Sequence, residues 1–233
     1  MGALNMEEYM KNFEDLGKSL SLKDKVIKSI KTQIILGNLK HGSRLREEEL
    51  SKAMNVSRAP IREAFNQLEN EGFVKIIPRK GVFVSPISKQ LIEDVFEQNE
   101  IIESAVLEKS FEKIPLSELE EMERLFKEYL KKPTMEEGIL DYSKLDKSFH
   151  FILIKNCGNQ MLLDYWGKLQ DLIHWFRNIS LSTTNFQNSA ATHLEIIDAI
   201  KMNDKQLAIK RLNEHRDWAK LNAIREFEGI IDD

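Results

Sequence analysis

The sequence predicts a mainly α-helical chain in two parts, on three observations. Between Glu47 and Ser85 it reads EEELSKAMNVSRAPIREAFNQLENEGFVKIIPRKGVFVS: a short helical run, a turn, a second helical run opening at Ser57, then two β-branched segments around a basic tip. Charge divides near the end of that stretch. Residues 21–87 carry a net +6 and residues 88–233 a net −8, a contrast concealed by the overall charge of −4. From residue 88 onward apolar residues keep helical spacing, no stretch alternates as a strand does, and only Pro115 and Pro133 interrupt. The fold class is therefore an N-terminal winged helix-turn-helix domain, residues 21–87, followed by an all-helical antiparallel bundle, residues 88–233. Residues 1–20 form an N-terminal extension.

In the extension Met6, Tyr9, Phe13, Leu16 and Leu20 make a helical stripe, which reads as a short packing helix or as a frayed terminus. Residues 22–36 then place Leu22, Val26, Ile30 and Ile34 on one helical face, widened by Ile27 and Ile35. Gly37 stands where a glycine stops a helix. A turn through His41 and Gly42 leads to a second helix at 47–54, and Asn55 and Val56 make the next turn. Ser57 suits an N-cap, because its hydroxyl can accept an orphan backbone N–H. Pro60, in the first turn of the third helix, costs no helical hydrogen bond there. That helix runs to about Asn70, before Gly72, with Ile61, Phe65 and Leu68 on its core face. The runs Val74–Ile77 and Val82–Val84 close a hairpin around Pro78-Arg79-Lys80-Gly81.

Arg58, Arg62 and Asn66 recur at i, i+4 and i+8, so they share an outward face of the third helix. Arginine bidentate to guanine and asparagine to adenine are the favoured major-groove pairs. Most surface arginines belong to a merely solvated face, but these stand at the N-terminal end of a recognition helix, which favours base reading. The tip offers Arg79 and Lys80 beside Gly81 to phosphates or to the minor groove. The basic N-terminal part is the electrostatic footprint of binding to a double-stranded DNA operator, hidden within a whole-chain pI of about 5.9. A helix-turn-helix reader is expected to be a homodimer, because protein symmetry matches palindromic half-sites.

This segment resembles the DNA-binding domain of GntR-family bacterial transcription regulators, above all in VSRAPIREAF, LENEGFV and RKGVFV. The resemblance implies that Arg58 and Arg62, with Ser57 and Ala59 beside them, meet bases or adjoining phosphates, and that the wing around Gly81 enters the minor groove. Family members often carry a further basic residue in the second helix. Glu47, Glu48 and Glu49 stand there in this chain, which leaves Arg46 as the substitute.

Other classes are bounded briefly. The single cysteine, Cys157, excludes an internal disulfide and suits a reducing cytoplasm as a small packed side chain. No apolar run has the length of a membrane span, and no signal peptide is visible. Helices are expected near 88–112, 116–131, 135–157, 159–180, 187–202 and 204–228.

Four of the five histidines lie in the bundle part. Asp146 and His150 are i and i+4 on one face. His193 stands ten residues before the Asn203-Asp204 turn and His215 eleven after it. With about 1.5 Å of rise per residue on two antiparallel neighbours, the two reach the same height. One carboxylate and three imidazoles can then converge on a divalent transition metal, with Zn, Ni, Co, Mn and Fe all compatible with the donors.

Residues 88–228 are in turn similar to the FCD domain, the ligand-binding domain of the FadR-like branch of that family, in its six-helix, VanR-type form. The carrying residues are Asp146, Phe149, His150, Gly158-Asn159, the run from His193 to Ile200, Asp204, Ala208 and Glu214-His215. The resemblance implies a metal on Asp146, His150, His193 and His215, which helps to hold a small carboxylate effector. FCD domains often carry an arginine in the first helix, in a pattern E-x-R-x-x-x-E. Between Glu97 and Glu103 this chain has Asn99 at that place. His174 and Arg177, on the fourth helix of the bundle, are the alternative donors to an effector, or else Arg177 is an exposed end-of-helix cation.

The expected function is a DNA-binding transcription regulator, a repressor whose DNA affinity is controlled by a small metabolite, and not an enzyme. Two other readings of the metal stay open: it is itself the signal, or it is purely structural. A metalloenzyme would also need an open coordination position and a general base, and no motif fixes Glu195 or Glu214 as one.

Overall fold

In the computed structural model, which describes residues 20–131, 139–180 and 183–231, the chain divides into two units, Met1–Ile87 and Ser88–Asp233. The stripe from Met6 to Leu16 lies outside the described residues, as does Pro133.

In the first unit, helix α1 (Leu22–Ile35) starts where the Ser21 hydroxyl accepts the Asp24 N–H at 3.1 Å. Val26, Ile30 and Ile34 are fully buried, as their period demands. Leu22, expected on the same face, is exposed instead. A helical side chain leans over the turn preceding it, and the first residue of a helix has no such turn. A strand β1 (Arg44–Leu45) precedes α2 (Glu47–Ala53), α3 (Arg58–Asn70), β2 (Val74–Ile77) and β3 (Gly81–Val84). The sheet is antiparallel in the order β1-β3-β2, with Leu45 opposite Val82 and Ile77 opposite Gly81. Two residues carry no periodicity, so β1 had no signature in the sequence. Helices α1 and α2 pack on α3, which packs on β2. Ile61, Phe65 and Leu68 are buried there, each contributing about 1.5–3 kcal/mol. Ser57 holds the N-cap position of α3, but its hydroxyl makes no capping bond. That expectation is corrected by Pro60, which occupies the third helical position and has no N–H to give.

The second unit begins with α4 (Lys89–Ser110), capped by the Ser88 hydroxyl on the Leu91 N–H at 3.1 Å. A 3₁₀ turn (Phe111–Lys113) leads to α5 (Leu116–Leu130), which opens after Pro115. Then come α6 (Ile139–Ile154), α7 (Gln160–Ser180), α8 (Thr183–Lys201) and α9 (Lys205–Ile231). Asn159 and Asp204 start α7 and α9 by accepting the N–H groups of Leu162 and Leu207. Helix α8 begins before residue 187, the expected start. Thr183, Thr184 and Asn185 favour turns over helix, and tertiary context overrides that preference. Helix α9 packs on α8, α4 and α7, while α5 packs on α8 and α6. Their inner faces share a core that includes Phe126, Tyr142, Phe149, Cys157, Trp166 and Leu212. No helix among the described residues is long and apolar enough to cross a membrane.

Candidate DNA-reading face and buried acid–imidazole cluster

On α3 the apolar and polar faces separate as the sequence requires: Ile61, Ala64, Phe65 and Leu68 point in, while Ser57, Arg58, Ala59, Arg62 and Asn66 are exposed. Both arginines meet glutamates from α2. Arg62 Nε donates to Glu47 Oε2 at 2.8 Å, and Arg58 Nη2 stands 3.6 Å from Glu48 Oε2. Arg46 is exposed and donates to Glu49 Oε1 at 3.3 Å. At the wing Arg79 takes a left-handed φ of 64°, and the Lys80 N–H closes the turn onto the Ile77 carbonyl at 3.0 Å. Both cations are exposed. Gly81 has φ +111°, and a Cβ there would lie 3.1 Å from Arg44 Nε and 3.2 Å from Arg44 Nη2. A side chain there would crowd the Arg44 guanidinium and sit at a φ that L residues rarely adopt. Arg44 was missed in the sequence because its strand was missed. A cleft of about 590 Å³ opens between β1, α2, the start of α3 and Gly81.

In the helical unit Asp146 and His150 come from α6, His193 from α8 and His215 from α9. Each offers one ligand atom, and these atoms all lie within 4.8 Å of one another. All four side chains are buried, at 0–4 % exposure. The α8–α9 turn brings the His193 and His215 rings to 4.3 Å between centroids, as equal spacing from that turn requires. Asp146 divides its oxygens: Oδ2 accepts from Arg177 Nη1 at 2.6 Å, while Oδ1 faces His193 Nε2 at 3.3 Å. Neither Oδ1 nor His193 Nε2 has a hydrogen-bond partner. Two buried polar atoms left unsatisfied cost free energy that a shared cation would remove.

Neighbours orient each imidazole. Tyr142 OH lies 3.3 Å from His193 Nδ1, and Thr192 Oγ1 2.8 Å from His215 Nδ1. Glu103 Oε1 approaches His150 Nδ1 at 3.2 Å, without the alignment a hydrogen bond needs. With Nδ1 of His193 and His215 so engaged, their Nε2 atoms are the ones suited to a metal, the pattern of outer groups that fixes a ligating histidine. Phe126 stacks on His193 at 4.6 Å.

Burial and charge set the protonation. Burial would raise the Asp146 carboxyl, but Arg177 and the neighbouring histidines hold it well below the carboxylate range. Burial would also raise Glu103, which His150, Arg216 and Trp166 bring down to about 2. Burial, with neighbouring imidazoles, keeps His193 far below its usual value and lowers His215 to about 3, so both are neutral. Burial opposes a charge on His150 too, but Glu103 outweighs it and raises the group. Burial lowers His174 to about 4. A carboxylate and neutral imidazoles are the forms that ligate a metal, so Asp146, His193 and His215 stand ready, whereas a proton on His150 would have to leave.

Of the effector candidates, His174 and Arg177 adjoin Asp146, with His174 Nε2 at 3.9 Å from Oδ2. The reading of Arg177 as an exposed end-of-helix cation is corrected: it is held by Asp146 and by the Ser189 hydroxyl at 3.0 Å, inside the bundle. Asn99 is buried and accepts from Gln170 Nε2 at 2.8 Å, and Gln170 also reaches Glu103. A buried positive charge stands nearby all the same: Arg216 on α9 lies 3.1 Å from Glu103. Its signal in the sequence was only its place next to His215.

Comparisons agree in class. The description "FCD domain" matches residues 94–217, and "Bacterial regulatory proteins, gntR family" matches residues 22–84. The HTH-type transcriptional regulator YdhC of Bacillus subtilis (strain 168) is 26% identical over 189 residues, 80% of this chain and 84% of the relative. The HTH-type transcriptional repressor RspR of Escherichia coli (strain K12) is 27% identical over 176 residues, 75% of this chain and 76% of the relative. The fold is similar to that of the solved E. coli McbR/YncC, with TM-score 0.74 at 19% identity over 89% of this chain and 99% of the other.

Proposed function

The chain belongs to the gntR family of bacterial regulatory proteins and carries an FCD domain, and from that premise we propose how this transcription regulator works. Arg58, Arg62 and Asn66 read base edges in the major groove of an operator, with Ser57 and Ala59 close to the backbone. Arg46, Arg79 and Lys80 hold phosphates or the minor-groove rim around Gly81. The exposed polar row on α3, opposite a buried apolar one, supports this assignment. Two copies act together on a palindromic site in the cytoplasm. Repression is the proposed sign, since relatives such as RspR are named repressors.

The observation that carries the rest is the buried set Asp146, His150, His193 and His215. These residues would hold one divalent transition metal, Zn, Ni, Co, Mn or Fe, through nitrogen and oxygen donors. When bound, the ion supplies a Lewis-acidic point for an anionic oxygen. Around it Asp146 and Glu103 are already balanced by Arg177 and Arg216. A divalent charge on neutral imidazoles therefore leaves a positive surplus in a buried site, and a small carboxylate effector neutralises it. His174 and Arg177, beside Asp146, and Asn99, through Gln170 and Glu103, are the groups proposed to orient that effector. The effector changes DNA affinity only as far as it binds two states of the regulator unequally.

A second reading, in which the metal only braces the bundle, is favoured by the enclosure of the four ligands and by Phe126 over His193. Elemental analysis combined with DNA titrations, with and without chelator, separates the two. His193→Ala is expected to lose the metal and the effector response while keeping the fold and most DNA binding. A purified protein that takes up no metal under any supply would overturn the ligand assignment. Intact effector response in the chelated protein would leave the metal a structural role.

A further inference from the structure

The acidic run at the start of α2 looks out of place on a face meant for DNA, and its first two members hold the two arginines in different ways. Glu47 Oε2 takes a hydrogen bond from Arg62 Nε at 2.8 Å, and the Glu47 side chain is half-buried. Glu48 stands 3.6 Å from Arg58 and 3.4 Å from Lys52, with all three side chains more than half exposed. The first contact is directional and ties one atom of the guanidinium. The second is a loose sharing of charge in water.

The atom used matters. A guanidinium carries five donors in a rigid fork, and its end edge, the two Nη groups, can make two parallel bonds to guanine O6 and N7. A carboxylate on Nε leaves that edge free and fixes the plane of the fork. It also takes up, before DNA arrives, part of the rotamer freedom that an unrestrained arginine loses on binding. Glu47 reaches Arg62 from a separate helix, so the plane is set relative to the body of the domain.

We propose that Glu47 is a positioning residue for Arg62 and so a determinant of sequence specificity, whereas Glu48 is a counter-charge of Arg58 that DNA displaces. This rests on the reading of Arg62 as a base-contacting residue. The two glutamates then act with opposite sign. Losing Glu47 weakens the correct site, although it removes a negative charge from a DNA-binding face. Losing Glu48 strengthens every site.

The test uses the full-length protein and two probes: a duplex selected by the wild-type protein from a randomised library, and a scrambled duplex of equal length. Glu47→Ala is expected to lower affinity for the selected duplex about ten-fold while leaving or raising affinity for the scrambled one. Glu47→Gln, whose amide oxygen can still accept the Nε–H, restores most of the ratio. Glu48→Ala tightens both duplexes by a similar factor and leaves the ratio unchanged. An unchanged ratio in Glu47→Ala, with both duplexes bound equally well or better, would make Glu47 mere repulsive charge and overturn the proposal. So would a Glu47→Gln protein as impaired as Glu47→Ala. Arg62→Ala, measured alongside, separates the two levels. If it binds the selected duplex normally, the base-reading role fails and the positioning role falls with it. If it is impaired while Glu47→Ala is not, only the positioning role fails.

Discussion

Two arginine–carboxylate contacts of nearly equal length have opposite consequences in this protein. Arg62 and Glu47 meet at 2.8 Å with side chains 66% and 30% exposed, and Arg177 and Asp146 meet at 2.6 Å with side chains 11% and 2% exposed. In water an ion pair of this kind contributes about 0–1 kcal/mol, so Arg62 stays available to a partner that offers more. Inside the bundle the same contact cannot be exchanged for hydration, and removal of one member strands the other charge. Distance alone therefore says little about role. Exposure divides arginines left open to DNA from arginines that hold a buried site together.

The largest expected effect falls on the buried side. Arg177→Ala leaves Asp146 without its main counter-charge, and metal-free protein should lose about 3–5 kcal/mol of unfolding free energy in a urea titration. A loss below about 1 kcal/mol would erase the distinction between the two pairs.

Acid should act on the same side. The Glu103 carboxyl is lowered in the folded protein to about 2 from 4.5. The stability it contributes is therefore present above pH 4.5 and is lost as pH falls from there toward about 2. Urea midpoints of the chelated protein between pH 5 and pH 3 should drop more steeply for the wild type than for Glu103→Gln. Parallel slopes would show that Glu103 is not held by Arg216 and His150 as described.

On the exposed side Arg62→Ala should cost about 1–3 kcal/mol on the selected duplex and relax preference at one base position, with the unfolding midpoint nearly unmoved. Operator affinity that stays unchanged across a salt titration would remove Arg62 from the base-reading set. The smallest effect belongs to the wing. Lys80→Ala should weaken binding to all sequences alike and reduce the slope of log affinity against log salt by about 0.9. A change confined to one sequence would make Lys80 a base reader instead.

Much of this was legible along the chain because it depends on local period and on spacing from a turn. The inward row Ile61, Phe65, Leu68 implies an outward row Arg58, Arg62, Asn66, since a helix turns by a fixed angle per residue. His193 and His215 come to about the same height because ten and eleven residues separate them from Asn203-Asp204 on antiparallel neighbours. Asp146 and His150 had to share a face.

What period could not supply is the choice of partner across elements. Nothing in the composition of α7 tells whether Arg177 ends in water or on Asp146, because the long side chain reaches either and only the packing of α6 and α8 decides. The pairing of Glu103 with Arg216, 113 positions apart, and of Glu47 with Arg62, 15 apart, arises only once separate helices lie side by side. Strand β1 exists because β3 offers it hydrogen bonds. The sequence by itself determined most of the helices, their faces and the two pairs Asp146–His150 and His193–His215, since those follow from fixed rotation and rise. The tertiary structure decided which charges are neutralised and which are left for DNA, since a charge is satisfied by whatever stands within a few ångströms in space.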